Sequence, residues 1–161
     1  MIDNIDLINF IDLNMKEKLM VLSWRNNPVI KKWMYTNSDI SVDEHLAFIE
    51  TLKNKKNTFY FVVKQNEKYL GVIDFTHVEK EISVTMGIYV NPELRGFGSF
   101  LMEIIIRFSF ESLNVKKIYS EVFEDNNKAF ILYEKCGFKF LKKKIVNNQK
   151  VICMELENEY R

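Results

Sequence analysis

With 161 residues, 47% hydrophobic and 14% aromatic, the chain carries enough apolar material for one sizeable core, and a single domain over 1–161 is expected. Lys and Arg total 23 and Asp and Glu 22, a net charge of +1, which weighs against the broad basic surface of a nucleic-acid binder and leaves a small molecule or protein as default partner. The acidic start MIDNIDLINF lacks the features of a signal peptide, and Glu103 and Arg107 interrupt the most apolar long stretch, so a cytoplasmic protein that does not cross or bind a membrane is expected.

In chain order, 5–10 reads as a first strand. Leu19, Val21 and Leu22 recur with helical spacing over Met15 to Arg25, and Asn26-Asn27-Pro28 ends that helix. Ser41 with Glu44 forms a capping box that opens a helix carrying Leu46, Ile49 and Leu52 on one face. The period then changes. Thr58 to Lys64 and Tyr69 to Val78 are β-branched and aromatic runs around a polar turn, a hairpin, and Ile82 to Val90 is a further strand stopped by Asn91-Pro92. Gly98 to Leu113 reads as one long, mostly buried helix. A strand at Lys117 to Phe123 and a helix from Asn126 to Cys136 follow, with Gly137 as its left-handed stop. Phe138 to Val146 and Val151 to Leu156 close the chain as a hairpin around Asn147-Asn148. This order predicts an α+β domain with a mixed sheet, whose parallel unit flanks the loop NPELRGFGSF.

That loop concentrates the chemistry. Two glycines beside Arg95, opening a helix, suit a backbone that closely approaches an anion. A P-loop is excluded because no lysine follows the second glycine. Gly96-Phe97-Gly98 with Glu121 farther on is a partial dinucleotide fingerprint, but Leu101 stands where its third glycine belongs. A tight turn without a ligand is the plain alternative. Cys136 and Cys153 have neither redox nor zinc spacing and read as reduced thiols, and His45 and His77 are isolated, so no metal is expected.

RGFGSF resembles the acyl-CoA signature of the GCN5-related N-acetyltransferases, the GNAT family, with Arg95 and Gly98 in place and Phe100 where the family has a small residue. EDNNKAFILYEKCGF, 124–138, resembles the family's second landmark through Asn126, Ala129, Tyr133, Gly137 and Phe138. The resemblance implies a seven-stranded mixed sheet splayed between its fourth and fifth strands and flanked by about four helices, with acetyl-CoA as cosubstrate. It places the coenzyme's pyrophosphate on the amides of Leu94, Arg95, Gly96, Phe97, Gly98 and Ser99, beside Phe100. The pantetheine would lie along Ile88, Tyr89 and Val90, near Asn126, Ala129 and Tyr133, with Gly87 as the bulge that opens the gap. It gives a strand amide near Ile88 to Val90 the thioester oxygen and Tyr133 the departing sulfur. The base is open between Glu121, which is favoured, and Asp74, each with the ordinary solvated strand residue as its alternative.

Residues 22–54, with WRNNP, WMY and HLAFI, resemble the branch of this family that serves pseudaminic acid biosynthesis for flagellin glycans. That branch implies acetylation of the 4-amino group of a UDP-4-amino-4,6-dideoxy sugar of the altrosamine type, with Arg25, Trp33, Tyr35 and His45 as substrate-binding residues. Physically, a base can stack on the aromatics and a diphosphate can pair with the guanidinium, though packing of the first helical region would use the same side chains. Acetylation of a peptide N-terminus, a ribosomal protein or a polyamine is the alternative, the last drawing on Asp39, Asp43 and Glu44. A non-catalytic acyl-CoA-binding domain stands apart from all of these, and a homodimer is left open.

Overall fold

A computed structural model describes residues 4–159. Seven strands form one mixed sheet in the order β1-β2-β3-β4-β5-β7-β6: β1 Ile5–Asn9, β2 Phe59–Gln65, β3 Lys68–Glu79, β4 Ser83–Val90, β5 Lys117–Phe123, β6 Lys139–Val146 and β7 Gln149–Glu157. The helices are α1 Met15–Asn26, α2 Pro28–Lys31, α3 Val42–Leu52, α4 Gly98–Arg107 and α5 Asn127–Lys135. Pro28, after ending α1, opens the short α2 as its first residue, and the Asn27 carboxamide accepts from the Val29 amide at 3.0 Å.

Local chemistry accounts for most boundaries. Capping boxes at Asn14/Glu17 and Ser41/Glu44 start α1 and α3. Asn66 and Glu67, and again Asn147 and Asn148, take positive φ and turn the two hairpins in the hand that matches strand twist. The helix predicted to run to Leu113 instead widens after Arg107 into a π-helical turn, Phe108–Ser112, which seats the Phe108 ring 4.6 Å from Phe75 and 5.4 Å from Phe61. The inner face of α3 carries His45, Ile49 and Leu52; Leu46 is one position off that stripe and only partly buried.

Strand alternation builds a core on each side of the sheet. Val62 and Val72 face Val21, Trp24, Ile30 and Ile49 of α1 to α3, whereas Val63, Ile73 and Phe75 face Leu101, Met102 and Ile105 of α4. The sheet is nearly severed in the middle. β4 and β5 pair only at Ser83, Val84 and Thr85, then diverge, while β4 stays on β3 to Val90 and β5 stays on β7 to Phe123. Gly87 is not the bulge expected of it, since β3 and β4 remain in register there and shift only between Thr76 and Glu79. Its lack of a side chain serves another purpose: a Cβ at 87 would lie 2.6 Å from Cγ of Asp74, its cross-strand partner. No helix among the described residues is long and apolar enough to cross a membrane.

Candidate active site

The diverging strands open a cavity of about 1400 Å³ at the carboxyl ends of β4 and β5. Every residue expected to serve catalysis, the coenzyme or the sugar lines it except Phe100, which packs against the core under α4. Of the acidic residues considered for a polyamine, Asp39 is paired with Lys31 at 2.8 Å, Glu44 caps α3, and Asp43 stands beside it in that first helical turn; none lines the cavity.

One end of the cavity is the glycine loop. Asn91 anchors it: its carboxamide donates to the Tyr69 carbonyl at 2.9 Å and accepts from the Glu93 amide at 3.0 Å. The Leu94 amide, expected to face an anion, donates instead to the Asn91 carbonyl at 2.9 Å and closes the turn. Gly96 then takes φ +80°, a conformation side chains rarely adopt, with open space where a Cβ would point. Phe97 precedes α4 without a side-chain cap, so the amides of Gly98, Ser99 and Phe100 at the helix start have no intrahelical acceptor. Gly98 keeps this terminus tight against α5, where a Cβ would press on Leu132 at 3.1 Å. The result is a cluster of donors without a partner among the described residues at a positive helix end, an arrangement that suits an anion of phosphate type.

The middle holds Tyr133 and Asp74. The end of α5 fixes the tyrosine: the Gly137 amide bonds the Glu134 carbonyl at 2.9 Å and the Phe138 amide bonds the Tyr133 carbonyl at 3.0 Å. This glycine-terminated ending sets the Phe138 ring 5.9 Å from that of Tyr133, tilted by 45°. Asn126 caps the other end of α5 by accepting from the Ala129 amide at 3.2 Å, so that amide is engaged within the helix. Asp74 is only partly accessible, and burial without an offsetting partner among the described residues pushes its carboxyl up to about 7. Burial first, and then the charge of Asp74, raise the phenols of Tyr60, Tyr89 and Tyr133. All three therefore stay protonated at neutral pH.

The other end is walled by the segment between α2 and α3. Trp33 and Tyr35 pack on Phe123 of β5, with centroids 6.4 and 5.5 Å away. Arg25 donates to the Thr36 carbonyl at 2.6 Å, while its second terminal nitrogen is buried without a partner among the described residues. His45 stands at this wall with its Nε2 bonded to the Lys18 carbonyl at 2.8 Å, tying α3 to α1. Glu121 accepts from the Tyr35 hydroxyl on one oxygen and from Lys144 at 2.6 Å on the other. Burial opposes its ionisation, but the bonds from Lys144 and Tyr35 and the charge of Lys144 outweigh it and hold the carboxyl below its usual range. Neither Lys144 nor Tyr60 is given a site role by the sequence: one sits in a run of lysines typical of a solvated edge, the other in an aromatic strand that reads as core.

Comparison with known proteins gives a consistent result. The family model described as an acetyltransferase (GNAT) domain matches residues 14–139. Acetyltransferase PseH of Campylobacter jejuni is 40% identical over 134 residues, covering 83% of this chain and 84% of that protein. Spermidine N(1)-acetyltransferase of Vibrio cholerae is 31% identical over 121 residues, covering 70% and 68%. Among solved structures, Campylobacter jejuni PseH in complex with acetyl coenzyme A superposes with a TM-score of 0.80 at 32% identity, covering 96% of this chain and 99% of that one.

Proposed function

The chain belongs to the GNAT acetyltransferases, and from that premise we propose that it transfers the acetyl group of acetyl-CoA to the 4-amino group of a UDP-4-amino-4,6-dideoxy-N-acetyl-altrosamine-type sugar, in the synthesis of pseudaminic acid. The observation that carries the acceptor class is the charge of the cavity. Arg25, Arg95, Lys128, Lys135 and Lys144 line it against only Asp74 and Glu121, a balance that suits two polyanionic ligands and repels a polyamine. The aromatic wall of Trp33, Tyr35 and Phe123 offers flat apolar surface for a base or a deoxysugar, and the unpartnered nitrogen of Arg25 offers a donor for a diphosphate.

The cofactor end fits acetyl-CoA. The free amides after Gly96 and the uncapped start of α4 provide for its pyrophosphate, and the unpaired edge of β4 beyond Thr85 provides hydrogen bonds for an extended pantetheine arm. When bound, the coenzyme supplies an activated thioester.

The protein groups have the following roles. An amide of β4 between Ile88 and Val90 donates to the thioester oxygen as charge gathers there. Asp74, rather than Glu121, takes the proton from the sugar ammonium, because its carboxyl titrates near neutrality while that of Glu121 is held ionised by two donors. Tyr133, kept protonated by burial, gives its proton to the leaving sulfur as the C–N bond replaces the C–S bond, and the second proton shed by the nitrogen restores the phenol. The reading is tested by comparing acetyl-CoA turnover on the UDP-linked aminosugar, an N-terminal peptide and spermidine. The aminosugar is expected to react with the highest kcat/KM. A faster reaction with either other amine overturns the acceptor assignment, and absence of turnover with all three points to a domain that only binds acyl-CoA.

A further inference from the structure

The Glu121–Lys144 pair lines the cavity yet has no part in the proton transfers described above. Glu121 on β5 and Lys144 on β6 are separated by β7, where their partners are Cys153 and Val151, so the lysine reaches diagonally across that strand to the carboxylate. Both carboxylate oxygens are occupied, one by Lys144 and the other by Tyr35. The Tyr35 carbonyl in turn accepts from Asn147 in the β6–β7 turn at 3.0 Å, which holds the wall in place. His77 and Cys153 also lie close enough to Glu121 or its partner to interact with their charge. Without Lys144, the cavity would present two carboxylates, Asp74 and Glu121, of which the second would keep the Tyr35 phenol as its one hydrogen-bond partner among the described residues.

We propose that Lys144 sets the charge class of the acceptor: it offers a cation to a diphosphate-bearing amine and, by occupying Glu121, denies a polyamine the anion it would need. The inference rests on the acceptor assignment above for its physiological meaning, but the relative affinity for two simple probes decides it separately. Specificity of this kind comes from an element that rejects the wrong ligand as much as from one that attracts the right one. Lys143, the adjacent residue, pairs with Glu124 at 2.9 Å outside the cavity and serves as an internal control.

The test is calorimetric titration of the full chain with UDP and with spermidine. Lys144→Met should weaken UDP and strengthen spermidine, each by roughly tenfold. Lys144→Gln, which keeps hydrogen-bonding reach without charge, should do the same, and Lys144→Arg should keep the wild-type preference. Lys143→Met should change neither affinity. Adding Glu121→Gln to Lys144→Met should remove the spermidine gain. The proposal is overturned if both charge-removing variants move the two affinities in the same direction or in neither, or if the double variant still binds spermidine. Failure of the wild type to acetylate any nucleotide-linked aminosugar would sink the acceptor assignment while leaving the ratio of probe affinities to decide the role of Lys144.

Discussion

Asp74 combines a catalytic proposal with a measurable cost to the fold. Its carboxyl is pushed from 3.8 up to about 7, so folding favours the protonated form. The stability linked to that proton is fully present below the unfolded value and is lost as pH rises from about 4 to about 7. Asp74→Asn should therefore raise Tm at pH 8 by at least about 2 °C, the shift that ~1 kcal/mol gives a chain of this size, and should not raise it at pH 4. Catalysis should move the other way. Wild-type kcat/KM should rise about tenfold per pH unit below 7 and level off above it, whereas the variant should lose about 10²–10⁴-fold at neutral pH and lack this limb. Tyr133→Phe keeps the ring on Phe138 and should lower the plateau without removing the limb. A pH–rate profile of the three proteins reads all of this, and an Asp74→Asn profile that retains the limb would return the base to Glu121 or to solvent.

At the scale of the element, β3 and β4 form a lock between a carboxyl and a missing side chain. Gly87→Ala should destabilise the protein by about 1–3 kcal/mol, because the methyl group meets Asp74, and much less in an Asp74→Gly background. Denaturant unfolding of the four proteins closes the cycle, and additive effects would mean that some other contact excludes the methyl. Elements of this kind mark where the sequence stops being readable. The capping boxes, both hairpin turns and the glycine stop of α5 are legible because each depends on residues within a few positions. Gly87 reads as a bulge because only the register with β3 shows that its empty place is filled by Asp74. Glu121 reads as a base because Lys144, which neutralises it, lies 23 residues farther on in a lysine run indistinguishable from an ordinary solvated edge. The motif residues near the cofactor end are legible through resemblance, while the uncapped start of α4 and the engaged amides of Leu94 and Ala129 show only in the folded chain.

Over the whole molecule, the sheet is a continuous surface joined at its centre by only three residue pairs, with α4 and α5 beneath it and the wall around Tyr35 reaching across the opening. Amides of β4 that face this opening should exchange hydrogen faster than those bonded to β3, and acetyl-CoA should protect them selectively. Hydrogen exchange followed by mass spectrometry over 86–90 checks this, and protection spread evenly over all seven strands would point to general stabilisation instead. The contact between Gly87 and Asp74 also constrains how such a molecule can change over generations. A descendant that gains a side chain at 87 while the carboxyl remains at 74 must pass through an impaired form. One that first loses the carboxyl gives up the proposed proton acceptor but keeps its packing. Lineages still acetylating by this route should thus hold both positions together, and those that have altered 87 should be found to have abandoned 74 beforehand.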